Sequence, residues 1–255
     1  EFRPGDLATL VQSLARSANT NTSLLAALSQ AVVTNERLNC KGLSMVANGF
    51  ASVRFRSLSF HAHLNTWAAA GGMGSCTPED TTLLVQSMSL LVTPKSEHVE
   101  DLLILLSRRL ELIVGSLEPP ALASLVIAVG KLQINNSSLL SSLQQKTNRE
   151  IHRLHVNSLP AMLDAFVSLY KTAEGAGSGV TPEQRRFLAQ LTGPLARALQ
   201  HLRPQDACRA CQALERLGLI DTHLSAGIAA LVPSRLNAWP ASGLLKLLQA
   251  YANGR

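Results

Sequence analysis

The sequence predicts an all-α fold, an α-solenoid of stacked helical hairpins with a repeat of about 37 residues. Three observations carry that expectation. Leu and Ala dominate the 255 residues, while aromatics are limited to two Trp, two Tyr and six Phe. Leu and Ala favour helices, and scarce aromatics argue against a β-sandwich or barrel. The phrase Leu10-Val11-Gln12-Ser13 returns in register as Leu84-Val85-Gln86-Ser87. Finally, the apolar residues of each copy recur at helical spacing.

With Asp6 as anchor, the equivalent positions are Gly42, Asp80, Ala121, Ser158, Asp206 and Gly243, at intervals of 36, 38, 41, 37, 48 and 37 residues. The whole chain, residues 1–255, is therefore expected to form a single repeat domain with units starting near 6, 42, 80, 121, 158, 206 and 243. The long interval holds Ala173-Glu-Gly-Ala-Gly-Ser-Gly179, and a flexible insertion is expected over 173–181.

The first helix of each unit is marked by its apolar columns. One residue after the anchor stand Leu7, Leu43, Thr81, Leu122, Leu159, Ala207 and Leu244. Four after stand Leu10, Val46, Leu84, Leu125, Met162, Ala210 and Leu247, and eight after stand Leu14, Phe50, Met88, Val129, Phe166, Leu214 and Tyr251. These offsets share one helical face. The column at seven is small throughout (Ser13, Gly49, Ser87, Ala128, Ala165, Ala213, Ala250), which suits close approach of two helix backbones. Pro4-Gly-Asp6, Thr77-Pro-Glu-Asp80, Glu118-Pro-Pro120 and Arg203-Pro-Gln-Asp206 mark helix starts, with Pro in the first turn and acidic or hydroxyl caps. A second helix follows, carried by Leu24, Leu25 and Leu28, by Leu139, Leu140 and Leu143, and by Leu224 and Ile228.

Composition bounds the function. Apolar residues at 46% exclude wholesale disorder, and charged residues at 16% suggest much surface hidden against itself or a partner. The net charge of +6 suits an anionic partner or simple solubility. Four cysteines in this length do not read as a disulfide framework, so a reducing compartment or an organelle matrix is expected. The apolar stretches Leu102–Leu106 and Ala121–Gly130 fall short of the roughly 20 residues a membrane span needs, so no membrane partner is expected. The first residue is Glu1, so the chain is expected to be processed or part of a longer protein.

Chemistry is hard to find. Gly175–Gly179 follows no strand and lacks the Lys of a phosphate loop, so it reads as linker. Cys208 and Cys211 have metal or redox spacing but fall in columns occupied elsewhere by Ala, Ser and Val, so both are expected to be core. His61/His63 and His152/His155 read as packing or surface residues, though the second pair could share a helix face. Glu97, Glu100 and Asp101 read as the solvated start of a helix. A non-enzymatic protein without cofactor or metal is expected.

One column is polar. Six residues after the anchors stand Gln12, Asn48, Gln86, Ile127, Asp164, Gln212 and Gln249, five of seven being carboxamides against about 0.7 expected by chance. The column lies away from the apolar stripe, on an expected exposed ridge. One turn on, Arg16, Lys131 and Arg216 share an offset, making Gln12/Arg16 and Gln212/Arg216 i, i+4 pairs. Carboxamides can donate and accept to base edges while Arg and Lys meet phosphates. The expected RNA-binding residues are Gln12, Arg16, Asn48, Gln86, Lys131, Gln212, Arg216 and Gln249.

The unit, opening Pro-x-Asp-Leu-Ala-x-Leu-Val-Gln-Ser-Leu-Ala and continuing to Ser-Leu-Leu-x-x-Leu, resembles the heptatricopeptide and octotricopeptide helical repeats of organellar RNA-binding proteins, which are similar to RAP-linked and FASTK-type proteins. No RAP-like segment is visible. The resemblance implies a mitochondrial matrix location (a plastid being the alternative), binding of ribosomal or other organellar RNA, and a structural role among neighbouring proteins in a mitochondrial ribosome or RNA-processing particle. The alternative expectation is an armadillo- or HEAT-like protein-binding scaffold in a large assembly.

Overall fold

The computed structural model describes residues 3–17, 21–35, 37–92, 99–173, 180–198 and 201–215, with single positions from 241 onward. It is all-helical, with no strand among the described residues. The insertion at 174–179, Arg216, Leu224 and Ile228 lie outside the described residues, as does most of the unit starting at 243. The chain divides into two compact units, Glu1–Ser142 and Leu143–Arg255.

In the first unit the order is α1 (Pro4–Arg16), α2 (Thr22–Val33), α3 (Cys40–Ser52), α4 (Leu58–Ala69), α5 (Pro78–Leu91), α6 (Glu100–Ile113) and α7 (Pro119–Leu132). The division falls within α8 (Ser137–Glu150). Alternate helices pack together: α1 on α3, α3 on α5 and α5 on α7, and likewise α2 on α4 and α4 on α6. The second unit holds α9 (Leu159–Ala173), α10 (Pro182–Ala198) and α11 (Pro204–Glu215), with α9 packed on both α10 and α11. No described helix is long and apolar enough to cross a membrane.

Local chemistry sets the boundaries. Pro78 opens α5 behind Thr77, whose side chain accepts from the Asp80 N–H at 3.1 Å. Pro119 opens α7, and Pro204 opens α11, where Arg203 pairs with the buried Asp206 at 2.8 Å. Asn21, Asn39, Ser57 and Asn136 cap α2, α3, α4 and α8 by accepting backbone N–H groups. At Thr181 the hydroxyl accepts from the Gln184 N–H while the Gln184 side chain accepts from the Thr181 N–H. That reciprocal pair is a capping box. Two turns leaving α3 and α7 pass through left-handed Arg54 and Gln133, each twelve residues after its anchor.

The columns form the core. Leu7, Leu43, Thr81, Leu122, Leu159 and Ala207 are all buried, as are Val46, Leu84, Leu125, Met162 and Ala210. Leu10 and Leu14 are only half-buried on α1, the first helix of the row. Phe50 meets Phe55 and Phe60 edge-on at 5.2 and 5.3 Å, and Phe166 meets Phe187 at 4.9 Å. Of the second-helix leucines, Leu25, Leu28, Leu139 and Leu143 are buried, but Leu24 is 38% exposed. The small column works by proximity: a Cβ on Gly49 would stand 2.7 Å from Val11 Cγ1 and 3.2 Å from the Val11 carbonyl oxygen.

Two readings of the sequence are corrected. Cys40 and Cys76 are joined in a disulfide across 36 residues, so the cysteines are not uniformly reduced thiols. The reason is repeat register: Cys40 starts α3 and Cys76 precedes the cap of α5, and the packing of α3 on α5 brings the two Cα atoms within 5.3 Å. His152 and His155 do not share a helix face, because α8 ends at Glu150 and both lie exposed in the connection to α9.

This packing leads to two stability predictions. Gly49→Val is expected to destabilise the protein by about 1–3 kcal/mol in urea unfolding, because the backbone of α1 cannot retreat from the new side chain. His61, on α4, is buried with Nε2 unpartnered among the described residues. Burial holds its pKa below the usual 6.5, and the Arg56 charge acts in the same direction. The unfolded chain therefore takes up the proton first, so this contribution to stability is complete above pH 6.5 and is lost as pH falls toward the folded-state value. His63 is shifted the same way by burial. Urea midpoints should drop as pH falls below 6.5, and His61→Leu should flatten that slope without abolishing it.

Candidate nucleic-acid interface

In the α1–α3–α5–α7 row, α3 and α5 have a row neighbour on each side, so burial wraps far around them. The columns two and five residues after the anchors are also buried: Ala8, Ser44 and Ala123, then Val11, Ala47, Val85 and Val126. What remains open is a narrow arc at offsets three, six and ten.

The carboxamide column sits at the margin of that arc rather than on an exposed ridge. Gln12, Asn48 and Gln86 are half-buried on α1, α3 and α5, and Gln212 is half-buried on α11. Gln249 is exposed. The most open line is at offset ten, where Arg16, Ser52, Leu90 and Lys131 are all exposed. The expectation of an exposed amide ridge is thus corrected: lateral packing of the helices half covers it, and the cations stand outside it.

The structure brings three of the eight expected residues together. Gln12, Arg16 and Asn48 line one depression of about 100 Å³ with Ala15, Gly49 and Ser52. It opens between α1 and α3, where Gly49 draws the two helices close. Ser52 was not expected at this site; its hydroxyl donates to the Asn48 carbonyl at 2.8 Å. Its place at offset ten beside Arg16 was the available signal. Gln86 and Lys131 occupy the same columns further along the row but do not line this depression.

The side chains are available to a ligand. Among the described residues, the carboxamides of Gln12, Asn48, Gln86 and Gln212 make no hydrogen bond, and Arg16 and Lys131 make no ion pair. A half-buried amide without a partner forfeits part of its hydration without replacement, so a ligand that supplies the missing donor and acceptor gains on binding. No aromatic ring joins the depression, since Phe50, Phe60, Phe166 and Tyr170 are buried.

No protein-family model matches the chain, and no curated protein matches it in sequence. The depression and its amide column therefore have to be read from their own chemistry.

Among the described residues, no group of three His, Cys, Asp or Glu could hold a metal ion. Glu100 and Asp101 are exposed at the start of α6, while Glu97 lies outside the described residues. Cys208 and Cys211 are buried in α11, as their columns predict. Burial pushes the Cys211 thiol up to about 12, and the neighbouring Cys208 adds to the effect. Iodoacetamide at mildly alkaline pH should therefore leave both thiols unmodified in the folded protein and label both after urea denaturation, as counted by mass spectrometry.

Proposed function

We propose that the chain is a non-enzymatic RNA-binding protein of an organelle, an α-solenoid of roughly 37-residue hairpins that serves as a structural part of a mitochondrial ribosome or RNA-processing particle. The observation that carries the RNA reading is the depression between α1 and α3. It joins two unpartnered carboxamides, from equivalent positions of adjacent repeats, to an unpaired Arg16. Single-stranded or irregular RNA fits this arrangement. Carboxamides can satisfy base edges, while Arg16 and Lys131 outside them meet the phosphodiester backbone. With no aromatic in the depression, bases would be held by hydrogen bonds and by stacking on a guanidinium rather than on rings.

The solenoid reading is supported by the alternate packing of helices within the first unit and by helix starts that keep to the anchors. A mitochondrial matrix location, with a plastid as alternative, rests on the resemblance of the repeat. A second reading, a protein-binding scaffold, has one observation in its favour. Leu58 on α4 and Leu112 on α6 are 81% and 76% exposed, away from the amide column.

Binding of single-stranded RNA measured at graded salt tests the proposal. Affinity should fall steeply as salt rises. Replacing Arg16, Lys131 and Arg216 together by Ala should weaken binding to all sequences and flatten the salt slope by about one for each phosphate no longer neutralised. Absence of binding at low salt, or unchanged affinity in the triple variant with helicity intact, overturns the reading.

A further inference from the structure

We propose that the Cys40–Cys76 disulfide is a thiol–disulfide exchange site, opened by a dithiol and closed by oxidation, which sets how firmly α5 is held on α3 and thereby tunes the amide face. The tuning, though not the exchange, rests on the RNA-binding reading above.

The surroundings of the two sulfurs favour exchange. Cys40 is the first residue of α3. The Asn39 side chain takes the Gly42 N–H, and the positive end of the helix dipole still favours negative charge at Cys40. Cys76 is approached from another side by Arg109 of α6, whose guanidinium donates to the Cys76 carbonyl. Arg109 makes no ion pair among the described residues, and its Nε is buried without a hydrogen-bond partner. An unneutralised cation thus stands beside Cys76. When the disulfide opens, this cation offsets the negative charge that develops on the sulfur of Cys76, which favours its departure.

Access is provided by the chain before Cys76. Both sulfurs belong to buried residues, each 2% exposed. Yet Cys76 is the end of a short turn, Gly72–Ser75, preceded by Gly71 in the left-handed region at φ 89°. Gly71, Gly74 and Ser75 are exposed, and only Met73 of the turn is buried. Such a segment opens at far lower cost than a helix. The turn also packs on α3, α4 and α6, so a reagent reaches the Cys76 sulfur only when the turn lifts from them. Cys208 and Cys211, by contrast, lie inside α11.

The exchange balances with a dithiol as reductant. One reagent thiolate attacks the Cys76 sulfur, the Cys40–Cys76 bond breaks, and Cys40 leaves as a thiolate at the start of α3. The second reagent thiol, deprotonated, attacks the mixed disulfide. Cys76 then leaves beside Arg109, and the reagent departs as its own cyclic disulfide. Two electrons pass from reagent to protein, and the reagent's two thiol protons end on Cys40 and Cys76. Oxidation reverses the sequence.

The link to the amide face is mechanical. Cys40 and Asn48 lie on one helix, about 12 Å apart along its axis. Gln86 lies on α5, the helix tied to α3 by the disulfide. Cutting the tie leaves the apolar packing of α3 on α5 in place but releases the covalent limit on their spacing. Reduction is expected to weaken single-stranded RNA binding by roughly fivefold.

The full chain is equilibrated with graded ratios of reduced and oxidised dithiothreitol, quenched in acid and alkylated under denaturing conditions. The expected result is a single transition that adds two labels, with helicity by circular dichroism unchanged across it. Arg109→Gln should slow reduction roughly tenfold, and Arg109→Lys, which keeps the charge, should restore it. Failure of the sulfurs to join under oxidising ratios, or reduction only in denaturant that unfolds the chain, overturns the exchange site. Binding of a single-stranded RNA 20-mer is then compared for the oxidised protein, the reduced protein and Cys76→Ser. Weaker binding by the last two supports the tuning; equal binding by all three overturns it. If exchange proceeds but no form binds RNA, the RNA reading and the tuning fall together and the exchange site is supported.

Discussion

The organisation of this protein depends on backbone proximity between helices of the same row. α1 lies so close to α3 that Gly49 has no room for a Cβ against Val11. That approach is possible only because the column seven residues after each anchor is Gly, Ser or Ala wherever the helices meet. Close approach then widens burial. On α3, α5 and α7 the residues two, five and eight positions after the anchor are all taken into the core, and Thr81 and Ser87 are buried along with the apolar side chains. A helix packed on both flanks must present Leu, Val and Ala over most of its circumference, which is why this chain carries so few charges.

The same constraint makes the candidate site. Because lateral packing leaves only a narrow arc of each helix open, a polar side chain at offset six cannot stand clear of the surface. Gln12 and Asn48 are held half-buried and near one another, with Arg16 and Ser52 on the outer side. Their separation from the core is a matter of about one helical position: Val11 and Ala47 are fully buried, whereas Gln12 and Asn48 retain access to solvent. The amide pair thus gains fixed geometry without desolvation so complete that it would demand internal hydrogen bonds. No aromatic ring lines the depression, so the chemical character of the face comes from amides and guanidinium.

Much of this was legible in the sequence because the fold is periodic. Helix starts keep to the anchors: α1, α3, α5, α7 and α11 each begin two residues before theirs, and Leu43, Leu84 and Leu125 are buried as their columns require. Periodicity within one helix gives the direction of a side chain but not how much of the circumference its neighbours cover. For that reason the amides were expected on an open ridge and are found at its margin. Leu24 shows the same limit on a second helix, being 38% exposed although it sits beside the buried Leu25. Side chains that act across repeats were harder to read. Ser52 joins Gln12 only because α1 and α3 converge, and Arg109 reaches Cys76 across 33 residues.

The cysteines show why register matters more than number. Counting four in 255 residues argues against a disulfide framework, and taken one by one neither Cys40 nor Cys76 has a partner nearby in sequence. Placed in the repeat, however, Cys40 stands two residues and Cys76 four residues before successive anchors. Residues at the starts of adjacent helices in a row are neighbours in space, so the pair could have been inferred once the row was drawn. Cys208 and Cys211 also fall at defined offsets, but inside the helix, where the same repeat directs them into the core. One periodic scaffold therefore produces two kinds of cysteine: a pair inside a helix, shielded in the core, and a pair at helix starts, joined across repeats beside a cation.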